Sequence, residues 1–272
     1  MGRSETAQAE WVTNLFDKFG LCYVEHEFHC DVHGKFTGRK VLDPNRKIID
    51  PKCPACERNR NRDLQTDARE AGMRAKIENA LGRAGIPKRF AGNTFESYEV
   101  QCQPQGEALR ICRSYAEHFS EALEQGRGLI LTGTTGTGKT MLSTAIANQI
   151  IRKGHTAIFT SVRKIVGAAK ATWSKSATKT EEQALRPFLD CDLLIIDEIG
   201  VQFDTDAERL IMFDVINARY EAMRPMILIS NYPIDATEGV SVRSVMGDRV
   251  LDRLRECSTS VVFKWPSHRG QS

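Results

Sequence analysis

From about residue 86 onward, short continuous apolar runs alternate with stretches in which apolar residues return every three or four positions. The runs are GLILT (128–132), TAIFT (156–160), DLLIID (192–197), MILIS (226–230) and SVVFKW (260–265). Runs this short, rich in Ile, Leu and Val, predict strands buried on both faces. Between them, MLSTAIANQIIRKG places Leu142, Ala145, Ile146 and Ile150 on one helical face, with Gly154 as a stop. AERLIMFDVINARYEAM (207–223) predicts an amphipathic helix capped by Asp204 or Thr205. Strands alternating with helices predict an α/β domain over 86–272, its parallel sheet covered by helices.

Two other textures precede it. Residues 57–85 are polar, Arg-rich and nearly free of aromatics, which predicts an exposed linking helix. Residues 1–56 hold Cys22, Cys30, Cys53 and Cys56 with His26, His29 and His33. No internal repeat or low-complexity tract interrupts the three parts.

Bulk properties narrow the field. A net charge of +3, 41% hydrophobic and 27% charged residues are ordinary for a soluble globular chain. The sequence pI of about 8.4 permits contact with nucleic acid without requiring it. No apolar run reaches the ~18 residues of a membrane span, and the N-terminus lacks a signal-peptide core. The expectation is a cytoplasmic protein without membrane contact, in which cysteines serve as core, metal or catalytic residues. Cys102, Cys112, Cys191 and Cys257 then read as small core residues.

The stretch Gly133, Thr134, Thr135, Gly136, Thr137, Gly138, Lys139, Thr140 follows the P-loop pattern. Its glycines let backbone amides wrap phosphates, and the predicted helix after it turns its N-terminus toward them. Lys139 is expected to reach the β- and γ-phosphates of ATP, and Thr140 to ligate Mg²⁺. Asp197, at the end of a buried strand, is expected to hold the Mg²⁺ shell, and Glu198 to polarise a water. That pairing points to nucleotide hydrolysis. Asn231, in ISNYP, either orients water or γ-phosphate, or starts the turn before Pro233.

Cys30-x2-His33 and Cys53-x2-Cys56 are two ligand pairs separated by 19 residues, the spacing of a structural zinc ribbon. Cys22, His26 or His29 can substitute for a member of the first pair. Four ligands leave no open position, so the zinc is expected to be structural, stapling a region with a small core.

GIPKRFAGNTFESY, the P-loop, LLIIDEIGVQ, ISNYP and GDRVLDRLREC…VVFKWPSHR, in this order, resemble the DnaC-type helicase loaders of the AAA+ superfamily, of which phage-encoded versions exist. The resemblance covers about residues 86–269. It implies a P-loop AAA+ core, with Asn231 as sensor 1, Arg253 as an arginine finger reaching a neighbouring subunit's ATP, and Arg269 as the sensor 2 arginine. Arg249 is the alternative finger. It also implies a DnaB-type replicative hexameric helicase and single-stranded DNA as partners, and ATP-dependent self-assembly, with ATP as a switch.

Residues 161–183 fall where loaders and initiators carry an extra helix facing DNA. There Lys164, Lys170, Lys175 and Lys179 are basic, and Trp173 offers a ring for base stacking. The alternative is an ordinary lysine-rich surface helix. The zinc element departs from the helical N-terminus of bacterial loaders. The zinc element, or the helix expected around Trp11, Leu15, Phe16 and Phe19, is open as the helicase grip, and the zinc element also as a DNA contact. Two further readings stand beside the loader: an IstB-type transposition ATPase directing a transposase, and a DNA-binding regulator with a vestigial ATPase. The intact Lys139, Asp197, Glu198 and Arg253 argue against the last.

Overall fold

Tyr23–Cys30 (β1) and Gly34–Leu42 (β2) pair antiparallel in a computed structural model that describes residues 23–42, 48–200, 205–236 and 239–268. Phe28 and Phe36 face each other across this hairpin with ring centroids 5.7 Å apart. Ile48–Ile49 (β3) adds a short edge to β2. Helix α1 (Pro54–Arg83) follows, carrying no buried residue, as its polar sequence leads one to expect. The chain divides within α1 into two units, Met1–Arg74 and Ala75–Ser272. The hairpin was not foreseen. Its strands mix charged and aromatic residues instead of forming an apolar run.

The second unit begins with the end of α1. A short 3-10 turn (Lys88–Phe90), α2 (Gln103–Glu117) and α3 (Phe119–Glu124) lead into β4 (Gly128–Gly133). Then come α4 (Lys139–Arg152), β5 (Ala157–Ser161), α5 (Val162–Lys170), α6 (Glu181–Asp190) and β6 (Leu193–Ile199). The unit continues with α7 (Asp206–Glu221), β7 (Met226–Ser230), α8 (Val242–Met246), α9 (Asp248–Cys257) and β8 (Ser258–Phe263). Every expected strand forms, within a few residues of its predicted ends.

The strands make one parallel sheet in the order β5-β6-β7-β4-β8. Successive side chains on a strand point to opposite faces, so each run feeds two cores. Leu129, Leu131, Leu193, Ile195, Ile227 and Ile229 pack with α2 and α4. Ile130, Leu194, Ile196 and Leu228 pack with α5, α7 and α9. That is why the runs are apolar throughout instead of alternating.

Two local expectations change. The helix expected over 161–183 breaks after Lys170 into a 3-10 turn (Ala171–Trp173) and a polar segment. A new helix then starts at Thr180, whose hydroxyl accepts from the Gln183 amide while the Gln183 side chain accepts from the Thr180 amide. Thr205 caps α7 by accepting from the Glu208 amide, while Asp204 lies outside the described residues.

Arg219 is fully buried on α7. Its guanidinium donates to the carbonyls of Phe188, Leu189, Cys191 and Pro225 at 2.8–3.0 Å. These carbonyls include those at the end of α6, so one cation satisfies groups that burial would otherwise orphan.

Candidate active site and metal centre

The P-loop joins β4 to α4. Gly138, the residue before α4, has a φ of +95°, and a Cβ there would lie 2.7 Å from the Tyr98 ring. Glycine is therefore required twice over, by backbone conformation and by the tyrosine behind it. With no side chain capping α4, its first-turn amides are left for an anion. Thr135, Gly136, Gly138, Lys139 and Thr140 line a cavity of about 690 Å³. Gly133, Thr134 and Thr137 form the frame behind it. The Lys139 ammonium donates to the Gly133 and Thr134 carbonyls at 2.7 Å, and the Thr137 hydroxyl to the Thr134 carbonyl at 2.8 Å.

Asp197, Glu198 and Asn231 line the same cavity. They arrive from the ends of β6 and β7, which neighbour one another in the sheet. The Thr140 hydroxyl donates to Asp197 Oδ2 at 3.1 Å, so the two expected Mg²⁺ ligands already touch. Hydroxyl and carboxylate oxygens suit a hard cation. Burial holds the Asp197 carboxyl above its usual range, against the pull of the Glu198 amide and the Thr140 hydroxyl. Glu198 has a φ of +62°. For a residue with a Cβ that conformation costs ~1–2 kcal/mol, and such strain gathers where geometry serves function. A register shift between Ile196 and Ile199 accommodates it, and the Glu198 amide donates to Asp197 Oδ1 at 2.8 Å.

Several cavity residues were not foreseen by role: Arg89, Phe90, Tyr98 and His268. Burial pushes the Tyr98 phenol up to about 12, and its hydroxyl lies 3.5 Å from the Thr137 carbonyl. The GIPKRFAGN segment is tied to α4 by Asn93, which donates to Thr144 at 2.9 Å, and by Asn148, which donates to the Asn93 carbonyl at 2.9 Å. The chain end crosses behind the loop. The Trp265 indole donates to the Thr137 carbonyl and the His268 amide to the Gly136 carbonyl, both at 3.0 Å. Arg269 lies outside the described residues, as do Cys22, Trp11, Leu15, Phe16, Phe19, Val201 and Gln202.

Of the basic residues read as facing DNA, Lys164 lines the P-loop cavity. Lys170 is paired with Glu208 at 2.5 Å. Trp173 is exposed, its indole donating to Glu181 at 2.9 Å. Lys175 and Lys179 fall on the exposed segment before α6. Arg253 and Arg249 sit on α9 and do not line the cavity of their own chain. The Arg253 guanidinium lies 5.6 and 5.7 Å from the Phe213 and Tyr220 rings of α7. Arg249 is exposed.

In the first unit the hairpin turn brings Cys30 and His33 to Cys53 and Cys56 at the start of α1, the four ligand atoms lying within 4.8 Å of one another. His33 Nδ1 lies 3.8, 3.8 and 3.3 Å from the sulfurs of Cys30, Cys53 and Cys56, and the Cys30 and Cys56 sulfurs are 3.7 Å apart. A tetrahedral zinc with Zn–S of ~2.3 Å and Zn–N of ~2.0–2.1 Å requires edges of about 3.8 and 3.6 Å. The donor set fits one such ion. The Val32 amide and His33 draw the Cys30 thiol down to about 6, while neighbouring Cys30 pushes Cys56 up to about 11. His26 and His29 are not members of the cluster.

A family model described as IstB-like ATP binding protein matches residues 66–272. The chain belongs to this family. The replicative helicase loader DnaC of Escherichia coli (strain K12) is 33% identical over 210 residues, 76% of this chain and 82% of the relative. A crystal structure of the DnaC helicase loader matches with a TM-score of 0.57 at 24% identity, covering 65% of this chain and 100% of that one. The replication initiator DnaA bound to AMPPCP and single-stranded DNA matches with a TM-score of 0.54 at 20% identity, covering 66% and 51%. These two structures speak to the fold alone, a five-stranded parallel sheet flanked by helices. By its family this IstB-like protein binds ATP and is an ATPase. Its cysteine cluster lies before the residues the family model matches.

Proposed function

We propose that this IstB-like ATPase loads a replicative hexameric helicase of the DnaB type onto single-stranded DNA, with ATP as the switch, in the cytoplasm. The observation that carries the reading is one cavity that gathers Lys139, Thr140, Asp197, Glu198 and Asn231 in a chain one-third identical to a helicase loader. Lys139 leaves the Gly133 and Thr134 carbonyls to meet the β- and γ-phosphates. Thr140 and Asp197 would hold Mg²⁺, which would supply positive charge against the phosphates. Glu198 takes up the proton of the attacking water, and Asn231 orients that water against the γ-phosphate. Arg253 of a neighbouring subunit meets charge developing on the γ-phosphate in an ATP-dependent self-assembly, and Arg269 reads the nucleotide from its own chain. Cys30, His33, Cys53 and Cys56 hold a structural zinc, in a module of residues 1–56 joined by a helical linker (57–85) to the ATPase domain (86–272).

The test is capture from host lysate on Glu198→Gln protein with ATP, which binds nucleotide and hydrolyses it slowly. A hexameric helicase in the eluate, absent when Lys139→Ala is used, is the expected result. The family description favours one other reading, a transposition helper. A transposase in place of the helicase would establish that reading and remove the loader.

A further inference from the structure

Glu198 is held in a left-handed conformation, and the contact that braces it comes from the next strand. Two residues beyond it, Gly200 has a φ of +114°. A Cβ on Gly200 would lie 2.3 Å from Cδ2 and 2.9 Å from Cε2 of Tyr232. The tyrosine ring therefore rests on the bare Cα of the turn that leaves β6. Tyr232 directly follows Asn231, and its amide donates to the Ser230 hydroxyl at 3.0 Å. Ser230 is in turn the ladder partner of Ile199, the residue between Glu198 and Gly200. The end of β6 is thus gripped twice by the end of β7, once by backbone pairing and once by an aromatic ring.

We propose that Tyr232 is a positioning residue for ATP hydrolysis: its ring, seated on Gly200, holds the turn that presents Glu198 and keeps it in register with Asn231. The inference rests on the reading of Glu198 as the residue that polarises the attacking water. A left-handed residue with a side chain persists only where its surroundings over-determine it. The Asp197 carboxylate on the Glu198 amide is one such constraint. The ring is the second, and only glycine at position 200 admits it. Tyr232 is 39% exposed, so removing the ring opens no closed cavity in the core. Phosphate binding is assigned to other elements, the P-loop and Lys139. Losing the ring should therefore slow hydrolysis without weakening ATP binding.

The experiment compares wild type, Tyr232→Ala, Tyr232→Phe, Gly200→Ala and Glu198→Gln as full-length chains. It measures kcat with Mg²⁺·ATP and single-stranded DNA, ATP Kd by titration, and amide exchange over 198–200. Tyr232→Ala is expected to lose about tenfold or more in kcat, as an active-site displacement of order 1 Å does, with Kd within about twofold and faster exchange at 198–200. Tyr232→Phe keeps the ring and should stay within about threefold of wild type. Gly200→Ala reaches the same contact from the other side, and should lose kcat too. It stands in for Tyr232→Ala should that chain not fold. A Tyr232→Ala kcat within twofold of wild type overturns the proposal. So does an equal loss of kcat and ATP affinity, or a Tyr232→Phe as slow as Tyr232→Ala. Wild-type hydrolysis by Glu198→Gln would instead remove the underlying reading, independently of Tyr232.

Discussion

Asp197 ends a buried strand, and burial raises its carboxyl above the usual range even with the Glu198 amide and Thr140 hydroxyl pulling it down. A carboxyl whose pKa is higher folded than unfolded favours folding while protonated. That contribution is lost as pH rises through the folded value. At neutral pH the ionised Asp197 thus opposes folding until a cation meets it. Asp197→Asn should melt higher than wild type at pH 7 without Mg²⁺·ATP. The gap should close as pH is lowered into the carboxylate range. Mg²⁺·ATP should stabilise wild type but not the variant. Thermal melts across pH, with and without Mg²⁺·ATP, check this, and no gain at pH 7 would refute the sign. The residue's position was readable in LLIIDE, because an acid closing an apolar run is conspicuous. Its raised pKa was not, because desolvation depends on what the fold stacks around it.

Elements decide which of the lysines and cysteines act together. Helix α5 starts where β5 ends, and Ser161 pairs with Asp197, so Lys164 on its first turn lines the P-loop cavity while Lys175 and Lys179 lie beyond the helix. Lys164→Met is expected to weaken ATP binding severalfold and leave single-stranded DNA affinity nearly unchanged at fixed salt. Lys175→Met with Lys179→Met should do the reverse and lower the salt dependence of DNA binding. Parallel ATP and DNA titrations separate the two sets. In the other unit, a hairpin turn and a helix start supply two ligands each, which the pair spacing announced. Metal-replete protein should carry about one zinc per chain by elemental analysis. Cys53→Ser should lose most of it and loosen residues 23–56, with ATP affinity kept. Full zinc content in Cys53→Ser would dismiss the four-ligand assignment.

At the scale of the whole molecule, the nucleotide cavity contains no Arg253, and Arg253 lies against Phe213 and Tyr220 on α7. If it serves the active site of a second copy, Arg253→Ala should bind ATP normally and hydrolyse it poorly. Arginine fingers supplied in trans contribute ~10³–10⁵ in GTPases. Mixing Arg253→Ala, which keeps the P-loop, with Lys139→Ala, which keeps the finger, should restore part of the activity. Co-assembly verified by cross-linking without restored hydrolysis would count against a shared site, and full activity of Arg253→Ala alone would transfer the role to Arg249. The sequence by itself determined the five strands of the parallel sheet, the helices after β4 and β6, the phosphate loop, the acidic pair and the two ligand pairs, because each is written in neighbouring residues. Apolar runs, glycine spacing and Cys-x2-Cys pairs are local signals. Only the tertiary structure decided that Lys164 belongs to the cavity, that the 161–183 segment breaks after Lys170, and that Trp265 and His268 brace the P-loop. It alone set the Tyr232 ring on Gly200. Those outcomes come from strand order, which brings β6 beside β7 and β4 beside β8, so that residues far apart in the chain meet at one end of the sheet.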